Sequence, residues 1–428
     1  MRDERPPTYH TVTLGELNRE GLARAEISEQ GPSGELHPTI LHVPAGLPGE
    51  RVTIAVEPPP APPKRRKRHW KPYPRRVEIT EIHQPSSLRV PAPCPVFGEC
   101  GGCQLQHLRY DAQLAWKSEV VRGLLREIGH FEQPPLLAPV PCDDPWHYRN
   151  QMRFSVNREG RPGLTARGTH RVLPLSACPI AHETINTALR ILNEQVNPRP
   201  QVLVRCAAAT KQVLLQPQQS AETLAKFAAA GLEVCAETME ERLHGETFRI
   251  RPSSFFQTNT AQAEKMAQMV LDGLFPATEQ AARPSTVIDA YCGVGTFALL
   301  LARRAARVIA IEESASSIKD ARWNLRAAEN VEILQGKVED LLPALSEPID
   351  GLVIDPPRAG CQRPVLDALA RNPVRRIVYV SCDPSTLARD LNILCHEYTT
   401  YRLRSVQPLD MFPQTAHIEC VAVLELSH

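Results

Sequence analysis

No stretch of this 428-residue chain approaches the roughly twenty consecutive apolar residues that cross a bilayer as a helix. The N-terminus, MRDERPPTYH, has no apolar core of the kind a secretory signal carries. The expected location is therefore the cytoplasm, where thiols stay reduced. Neither sign of charge is in excess: 49 Lys and Arg stand against 48 Asp and Glu, a net charge of +1. Bulk electrostatics announces no polyanionic partner, so any nucleic-acid signal has to be local. There is no internal repeat. Nothing in the chain demands a membrane, a dimer or an obligate protein partner, and a monomer is expected.

Twelve cysteines are present, and in a reducing compartment they need an explanation other than disulfides. Most, such as Cys142, Cys206, Cys235 and Cys395, stand alone and read as buried neutral groups. Only CPVFGECGGCQLQH is dense, with Cys94, Cys100 and Cys103 inside ten residues beside a glycine pair. Clustered thiolates of this kind suit either structural zinc or an iron–sulfur cubane, and spacing does not choose between them.

Three regions differ in texture. Residues 8–83 read as short strands (YHTVTLGEL, LARAEI, TILHVP, ERVTIAVE, RRVEITEI) broken by Gly and Pro turns, the pattern of a small barrel. The last two strands are separated by PPPAPPKRRKRHWKPYPRR. Its Lys64–Arg68 run reads as a solvated loop or as a phosphate-contacting arm with Trp70 and Tyr73 able to stack on bases. Residues 84–255 mix a helix, RYDAQLAWKSEVVRGLLREIG, with runs of strand character such as NQMRFSVNR and QVLVRCAA. From residue 256 to 428 strand-length apolar runs (STVIDAYC, RVIAIEE, VEILQG, DGLVIDPP, RIVYVSC) alternate with helical stretches, which predicts an α/β domain on a mostly parallel sheet. Ligands of such sheets bind beyond the carboxyl ends of the strands.

The chemistry-bearing residues fall at those ends. VIDAYCGVGTFALLLA runs from a strand into a helix, with Gly293 and Gly295 allowing close backbone approach and Glu312 ending the next strand, where a ribose-binding acid belongs. The turn alone suits a nicotinamide dinucleotide or S-adenosylmethionine. Asp289 and Asp355 at strand ends favour the second, whose sulfonium and amino group are cationic. For Asp289 the competing reading is a turn residue bonded to backbone. DPPRAG, opened by Asp355, is a stiff exit from its strand. Cys382, in YVSCDPSTLARD, leaves a thiol at the lip of the same crevice. Glu419 begins an apolar strand in HIECVAVLEL, awkward for packing and sensible for a base with a raised pKa, unless it lies on an exposed edge. These parts compose a reaction on uracil. A thiolate from Cys382 adds to C6, C5 becomes nucleophilic toward a methyl donor, and Glu419 removes the C5 proton so that the thiol leaves. The base has to be unstacked to be reached. Phe255 or Phe256 in SSFFQTNT reads as its stacking partner, with the amides of Gln257 and Asn259 nearby.

Taken in order, CPVFGECGGCQLQHLRYDAQLAWK, YRNQMRFSV, FFQTNT, DAYCGVGTF, DPPRAG, YVSCDPSTLARD and LDMFPQTAHIE resemble the RNA (uracil-C5)-methyltransferase family, and most nearly its iron–sulfur branch, over nearly the whole chain. The resemblance implies a Rossmann-like S-adenosylmethionine-dependent catalytic domain (256–428), an N-terminal OB-like TRAM barrel that binds RNA (1–83) and a mixed central domain carrying a metal cluster (84–255). It implies 23S ribosomal RNA as substrate, with a transfer RNA or a non-catalytic RNA-binding role as alternatives. It puts the nucleophile on Cys382, the general base on Glu419, methyl-donor contacts on Gln257, Tyr291, Thr296, Glu312 and Asp355, and the stacking ring on Phe255. It also supplies a fourth cysteine, Cys178, to complete a [4Fe-4S] cluster with Cys94, Cys100 and Cys103. The family often has asparagine where this chain has Thr296, and residues 64–76 are an expanded basic loop.

Overall fold

A computed structural model describes residues 6–30, 35–58, 75–276 and 286–427. They divide into two compact units, Met1–Gln113 with Gln414–Ala416, and Leu114–Pro413 with His417–His428.

In the first unit the five expected strands form: β1 Thr8–Thr13, β2 Ala23–Gln30, β3 Leu36–Val43, β4 Arg51–Val56 and β5 Val77–Gln84. β4 pairs antiparallel with β1 on one side and β5 on the other, while β2 and β3 form an antiparallel pair. Alternation decides which side chains go inside. Ala23, Ala25 and Ile27 of β2 meet Leu41, Val43, Val52, Ile54, Val56 and Val77 in one apolar core, with Arg24, Glu26 and Ser28 facing out. The buried Glu50 accepts the N–H groups of Leu47 and Ser86 and a fork of two bonds from Arg89, which fixes the chain after β5. The basic run at 64–68, Trp70 and Tyr73 lie outside the described residues. Just after them Arg75 bonds both oxygens of Glu29 at 2.6 and 2.8 Å.

Helix α1, Tyr110–Glu127, follows. Val121, Leu124 and Leu125 are buried along it, as its apolar spacing predicts. The second unit then continues with β6 Gln151–Val156, β7 Pro162–Thr165, β8 Val172–Pro174, α2 Glu183–Asn193, β9 Gln201–Cys206, β10 Gln212–Gln216, α3 Ala221–Ala229 and β11 Glu233–Cys235. These strands make a sheet of order β11-β10-β9-β6-β7-β8. The hairpin β12 Met239–Leu243 and β13 Glu246–Ile250 and helix α4, Thr260–Leu274, lead to the last sheet.

That sheet is built from β14 Thr286–Ala290, α5 Thr296–Ala302, β15 Arg307–Glu312, α6 Ala315–Asn324, β16 Val331–Gln335, α7 Val338–Leu341, β17 Gly351–Ile354, α8 Arg363–Arg371, β18 Arg376–Ser381, α9 Pro384–Asn392, β19 Tyr401–Leu409 and β20 Glu419–Leu426. Its order is β16-β15-β14-β17-β18-β20-β19, parallel through β18 and antiparallel at β20 and β19. Both faces are covered. Val287, Val308, Val353 and Val378 pack under α4 and α5, and Ile288, Ile309, Leu352 and Ile377 pack under α8 and α9. This is why the sequence shows continuous apolar runs here rather than alternation. Among the described residues no helix is long and apolar enough to cross a membrane.

Candidate active site

The turn after β14 is strained and specific. Tyr291 has φ +66°, a left-handed conformation that a bulky residue rarely adopts, and Gly293 and Gly295 follow at +56° and +86°. A Cβ on Gly295 would sit 3.0 Å from Leu325. Glu312, at the end of β15, spans this turn. One carboxylate oxygen accepts the Gly293 N–H at 3.0 Å and the other the Ser314 N–H at 2.7 Å. Each carboxylate oxygen keeps a second lone pair able to accept a hydroxyl. Thr296 opens α5, so its N–H belongs to the unsatisfied first turn.

A cavity at the carboxyl end of the sheet is lined by Phe255, Gln257, Tyr291, Gly293, Thr296 and Asp355, with Phe256, Val294 and Phe297 among its apolar walls. Four of the five expected methyl-donor residues line it, and Glu312 joins through Gly293. Asp289 does not line it. It is fully buried, and one oxygen accepts the Ala298 N–H at 2.7 Å, locking α5 to β14. The turn reading of Asp289 therefore replaces the ligand reading. Asn259 is also corrected. It caps α4 by accepting the Gln262 N–H and donates to the Met411 carbonyl, so its amide is consumed. Phe256 is buried against Phe248, ring centroids 5.9 Å apart, whereas Phe255 is 65% exposed; of the two rings only Phe255 is free to stack. A second hollow, lined by Leu345, Pro348, Ile349 and Pro373 before β17 and β18, lies at the opposite ends of the strands; its Glu347 is paired with Arg307.

Cys382 and Glu419 are brought together by strand pairing. Ser381 at the end of β18 faces Cys420 of β20, so one antiparallel step further sets Cys382 against Glu419. Glu419 is only 3% exposed, and β20 lies between β18 and β19, so the exposed-edge reading fails. Burial, and then the neighbouring Asp355, push the Glu419 carboxyl well above its ordinary value, with Arg358 opposing. Burial, then Glu419 and Asp355, push the Cys382 thiol up to about 11, again opposed by Arg358. Asp355 keeps part of its surface toward the cavity, yet the groups enclosing it raise it to about 7. Asp355 thus stands where the donor cavity and the thiol–acid pair meet.

A carboxyl with a folded pKa near 7 and an unfolded value near 3.9 stabilises the fold below about pH 4, and loses that contribution as pH rises through 7. Asp355→Asn removes the group. The variant should melt above the wild type at pH 8 by up to about 4 kcal/mol of added stability, and the gain should vanish by pH 4. Melting curves at the two pH values check this; an equal difference at both would refute the raised carboxyl.

Sequence reasoning missed what holds residues 410–413, between β19 and β20. Lys117 of α1 and Asp410 form a fully buried pair at 2.6 Å, and Lys117 also donates to the Phe412 carbonyl. Gln262 holds the Asp410 carbonyl and the Tyr148 hydroxyl holds that of Pro413. A lysine one turn before Val121 on the apolar face of α1 was the available signal. His417, edge-on to Phe412 and 3.5 Å from Arg358, keeps an exposed side; partial desolvation, then Arg358, Lys117 and Arg149, lower its pKa.

Cys100 and Cys103 are buried in the first unit, and the Cys100 sulfur accepts the Gly102 N–H at 3.4 Å, a bond suited to a thiolate. Cys178, in the second unit, is buried and its backbone is bracketed by Asn186. The donor chemistry fits a thiolate-bound group. Among the described residues, however, no three His, Cys, Asp or Glu side chains gather closely enough to hold a metal ion.

A family model for tRNA (uracil-5-)-methyltransferase matches residues 230–427. The chain is 38% identical to an uncharacterized RNA methyltransferase of Gloeobacter violaceus over 82% of this chain and 86% of that one. It is 32% identical to another from Halalkalibacterium halodurans, covering 97% of each. Among solved structures it is similar to the Pyrococcus abyssi tRNA (uracil-54, C5)-methyltransferase in complex with S-adenosyl-L-homocysteine, with a TM-score of 0.71, 25% identity and coverage of 97% of this chain and 99% of that one. The S-adenosylmethionine-dependent fold, the donor cavity at the strand ends and these relatives agree, and the chain belongs to the RNA (uracil-C5)-methyltransferase family.

Proposed function

We propose that the protein converts a uridine of 23S ribosomal RNA to 5-methyluridine through a covalent bond between Cys382 and C6. The observation that carries this is the strand pairing at Ser381 and Cys420, which sets a thiol beside a buried carboxyl. Gln257, Tyr291, Thr296, Glu312 and Asp355 hold S-adenosylmethionine, which supplies an electrophilic methyl group. Phe255 stacks on the extruded uracil. The Cys382 thiolate adds to C6, forming S–C6 and moving the C5–C6 electron pair toward C5. C5 uses that pair to bond the donated methyl carbon, whose bond to sulfur breaks and leaves S-adenosylhomocysteine. Glu419 then accepts the C5 proton, the C5–H electron pair re-forms the C5–C6 double bond and the Cys382 sulfur leaves C6 as a thiolate. RNA containing 5-fluorouracil tests the scheme, because fluorine cannot leave as a proton does. Wild-type protein with S-adenosylmethionine should accumulate a methylated, denaturation-resistant protein–RNA adduct, and its absence would refute covalent catalysis.

The three-part organisation (1–83, 84–255, 256–428) and a cytoplasmic monomer belong to the same reading. The N-terminal barrel is its RNA-binding, TRAM-like part. In support, Thr11, Thr53 and His83 form a hydrogen-bonded polar row across β1, β4 and β5, and Tyr9 is an exposed ring on β1. The resemblance also assigns Cys94, Cys100, Cys103 and Cys178 to a [4Fe-4S] cluster, supported by the burial of Cys100, Cys103 and Cys178 and the Gly102 bond to Cys100; Cys94 is half-buried. Such a cluster supplies a structural tie. Anaerobically purified wild type should carry iron with visible absorbance, and Cys178→Ala should lose both and bind RNA more weakly. Full iron content in the variant would refute the assignment. Transfer RNA is the second reading, favoured by the likeness over nearly the whole chain to the Pyrococcus abyssi tRNA (uracil-54, C5)-methyltransferase. Mapping 5-methyluridine in both RNAs of a strain lacking the gene separates the two.

A further inference from the structure

Phe255 is a large ring left 65% exposed beside a cavity with apolar walls. Burying such a ring is worth on the order of 1.5–3 kcal/mol, so something has to hold it out. The chain just before it is a turn, Arg251–Ser254, closed by the Ser254 N–H on the Arg251 carbonyl at 3.1 Å. Two buried, oppositely charged side chains grip that turn. On one side is Arg205 of β9, 3% exposed; its guanidinium donates to the carbonyls of Arg251 at 3.2 Å and Ser254 at 2.9 Å. Gln151, its neighbour across β6, accepts the other guanidinium bonds. On the other side is Asp320 of α6, fully buried, which accepts the Arg251 N–H at 2.9 Å, the Ser254 hydroxyl at 2.7 Å and the Arg251 guanidinium.

We infer that Arg205 and Asp320 are positioning residues for the RNA base, holding the Arg251–Ser254 turn so that Phe255 projects as a preformed stacking platform. Burying a cation and an anion is unfavourable unless their bonds are satisfied. Here Arg205 is satisfied by two turn carbonyls and the Gln151 side chain, and Asp320 by the Arg251 N–H and guanidinium and the Ser254 hydroxyl, which stops the turn rolling its ring onto the cavity wall. The residues after Phe255 are anchored separately. Phe256 is in the core, and Asn150 donates to the Gln257 carbonyl at 3.1 Å and to Thr260 at 3.0 Å. Gln257 therefore does not depend on the grip, so the base side should respond to its loss and the methyl-donor side should not. α6 also carries Asn324, which bonds both backbone groups of Arg249 and the Val294 carbonyl in the glycine turn. The grip is thus anchored to the helix that follows Glu312.

The inference rests on the reading of Phe255 as the stacking ring, and a double-mutant cycle separates the two. Asp320→Asn, Ser254→Ala and Phe255→Ala are made singly, and the first two also in the Phe255→Ala background. Total RNA from a strain lacking the gene serves as substrate, since it contains the target whichever class it belongs to. Methyl incorporation gives kcat/KM for RNA, and calorimetry gives the Kd of S-adenosylhomocysteine. Asp320→Asn should lower kcat/KM for RNA about tenfold, within the range that loss of one base stack costs, and change the Kd by less than about twofold. In the Phe255→Ala background it should cause no further loss, because coupled residues are not additive. Ser254→Ala removes one bond of the grip and carries the test where Asp320→Asn does not fold. Additive losses, equal weakening of both ligands, or unchanged kcat/KM in the two grip variants would overturn the inference. Unchanged kcat/KM in Phe255→Ala would overturn the stacking reading, and the inference with it.

Discussion

Cys382→Ala should bind S-adenosylhomocysteine and RNA as the wild type does and transfer no methyl group, a loss on the order of 10⁴–10⁶-fold. Among the described residues the Cys382 side chain belongs to neither apolar cluster of the catalytic sheet, and the charged groups around it are the raised acids Glu419 and Asp355 and the cation Arg358. Removing it should leave the fold intact. With no sulfur to add at C6, C5 stays too weak a nucleophile, and the adduct on 5-fluorouracil RNA should vanish. Because the thiol lies near 11 in the free protein, the reactive thiolate is scarce at neutral pH, and kcat/KM for the wild type should rise with pH from 6 to 9. Residual turnover above about a hundredth of wild type, or a rate that falls with pH over this range, would rule out Cys382 as nucleophile.

Glu419→Gln should fail at a different step. The amide keeps the shape of a residue that is almost fully buried but cannot take a proton. Addition and methyl transfer should proceed while elimination slows about 10²–10⁴-fold, the usual contribution of a positioned base. The variant should therefore accumulate the methylated adduct on ordinary uridine RNA, which the wild type shows only with the fluorinated base. A denaturing gel with labelled methyl donor distinguishes the two variants: a persistent band for Glu419→Gln and none for Cys382→Ala. Slow turnover by Glu419→Gln without the band would assign proton removal to another group, with Asp355 the nearest carboxyl in the electrostatics of both residues.

Much of the fold was legible because local hydrophobic pattern carries it. All five N-terminal strands, helix α1 and the parallel strands β14 to β18 appear where the apolar runs lie, although the first five form a three-stranded sheet and a separate pair. The donor cavity was legible in part, since a glycine turn and an acid at the next strand end are local signs. Asp289 and Asn259 were open to misreading for the same reason: a polar residue at a strand or helix end looks alike whether it faces a ligand or a backbone N–H. Arg205 and Asp320 carried no sign at all. Each looks like a surface charge until the chain brings the Arg251 turn against an aspartate 69 residues on. The Lys117–Asp410 pair, 293 residues apart, left only the lysine on the apolar face of α1 as a sign, with nothing to name its partner.

By itself the sequence determined which chemical groups the protein owns and the order in which strands and helices present them, because periodicity and turn chemistry act over a few residues. Only the tertiary structure decided that β20 inserts between β18 and β19, and so that a thiol and a carboxyl separated along the chain become neighbours. It also decided their acidity. A pKa is set by what surrounds a group once water is removed, and those surroundings come from remote strands that no local pattern names.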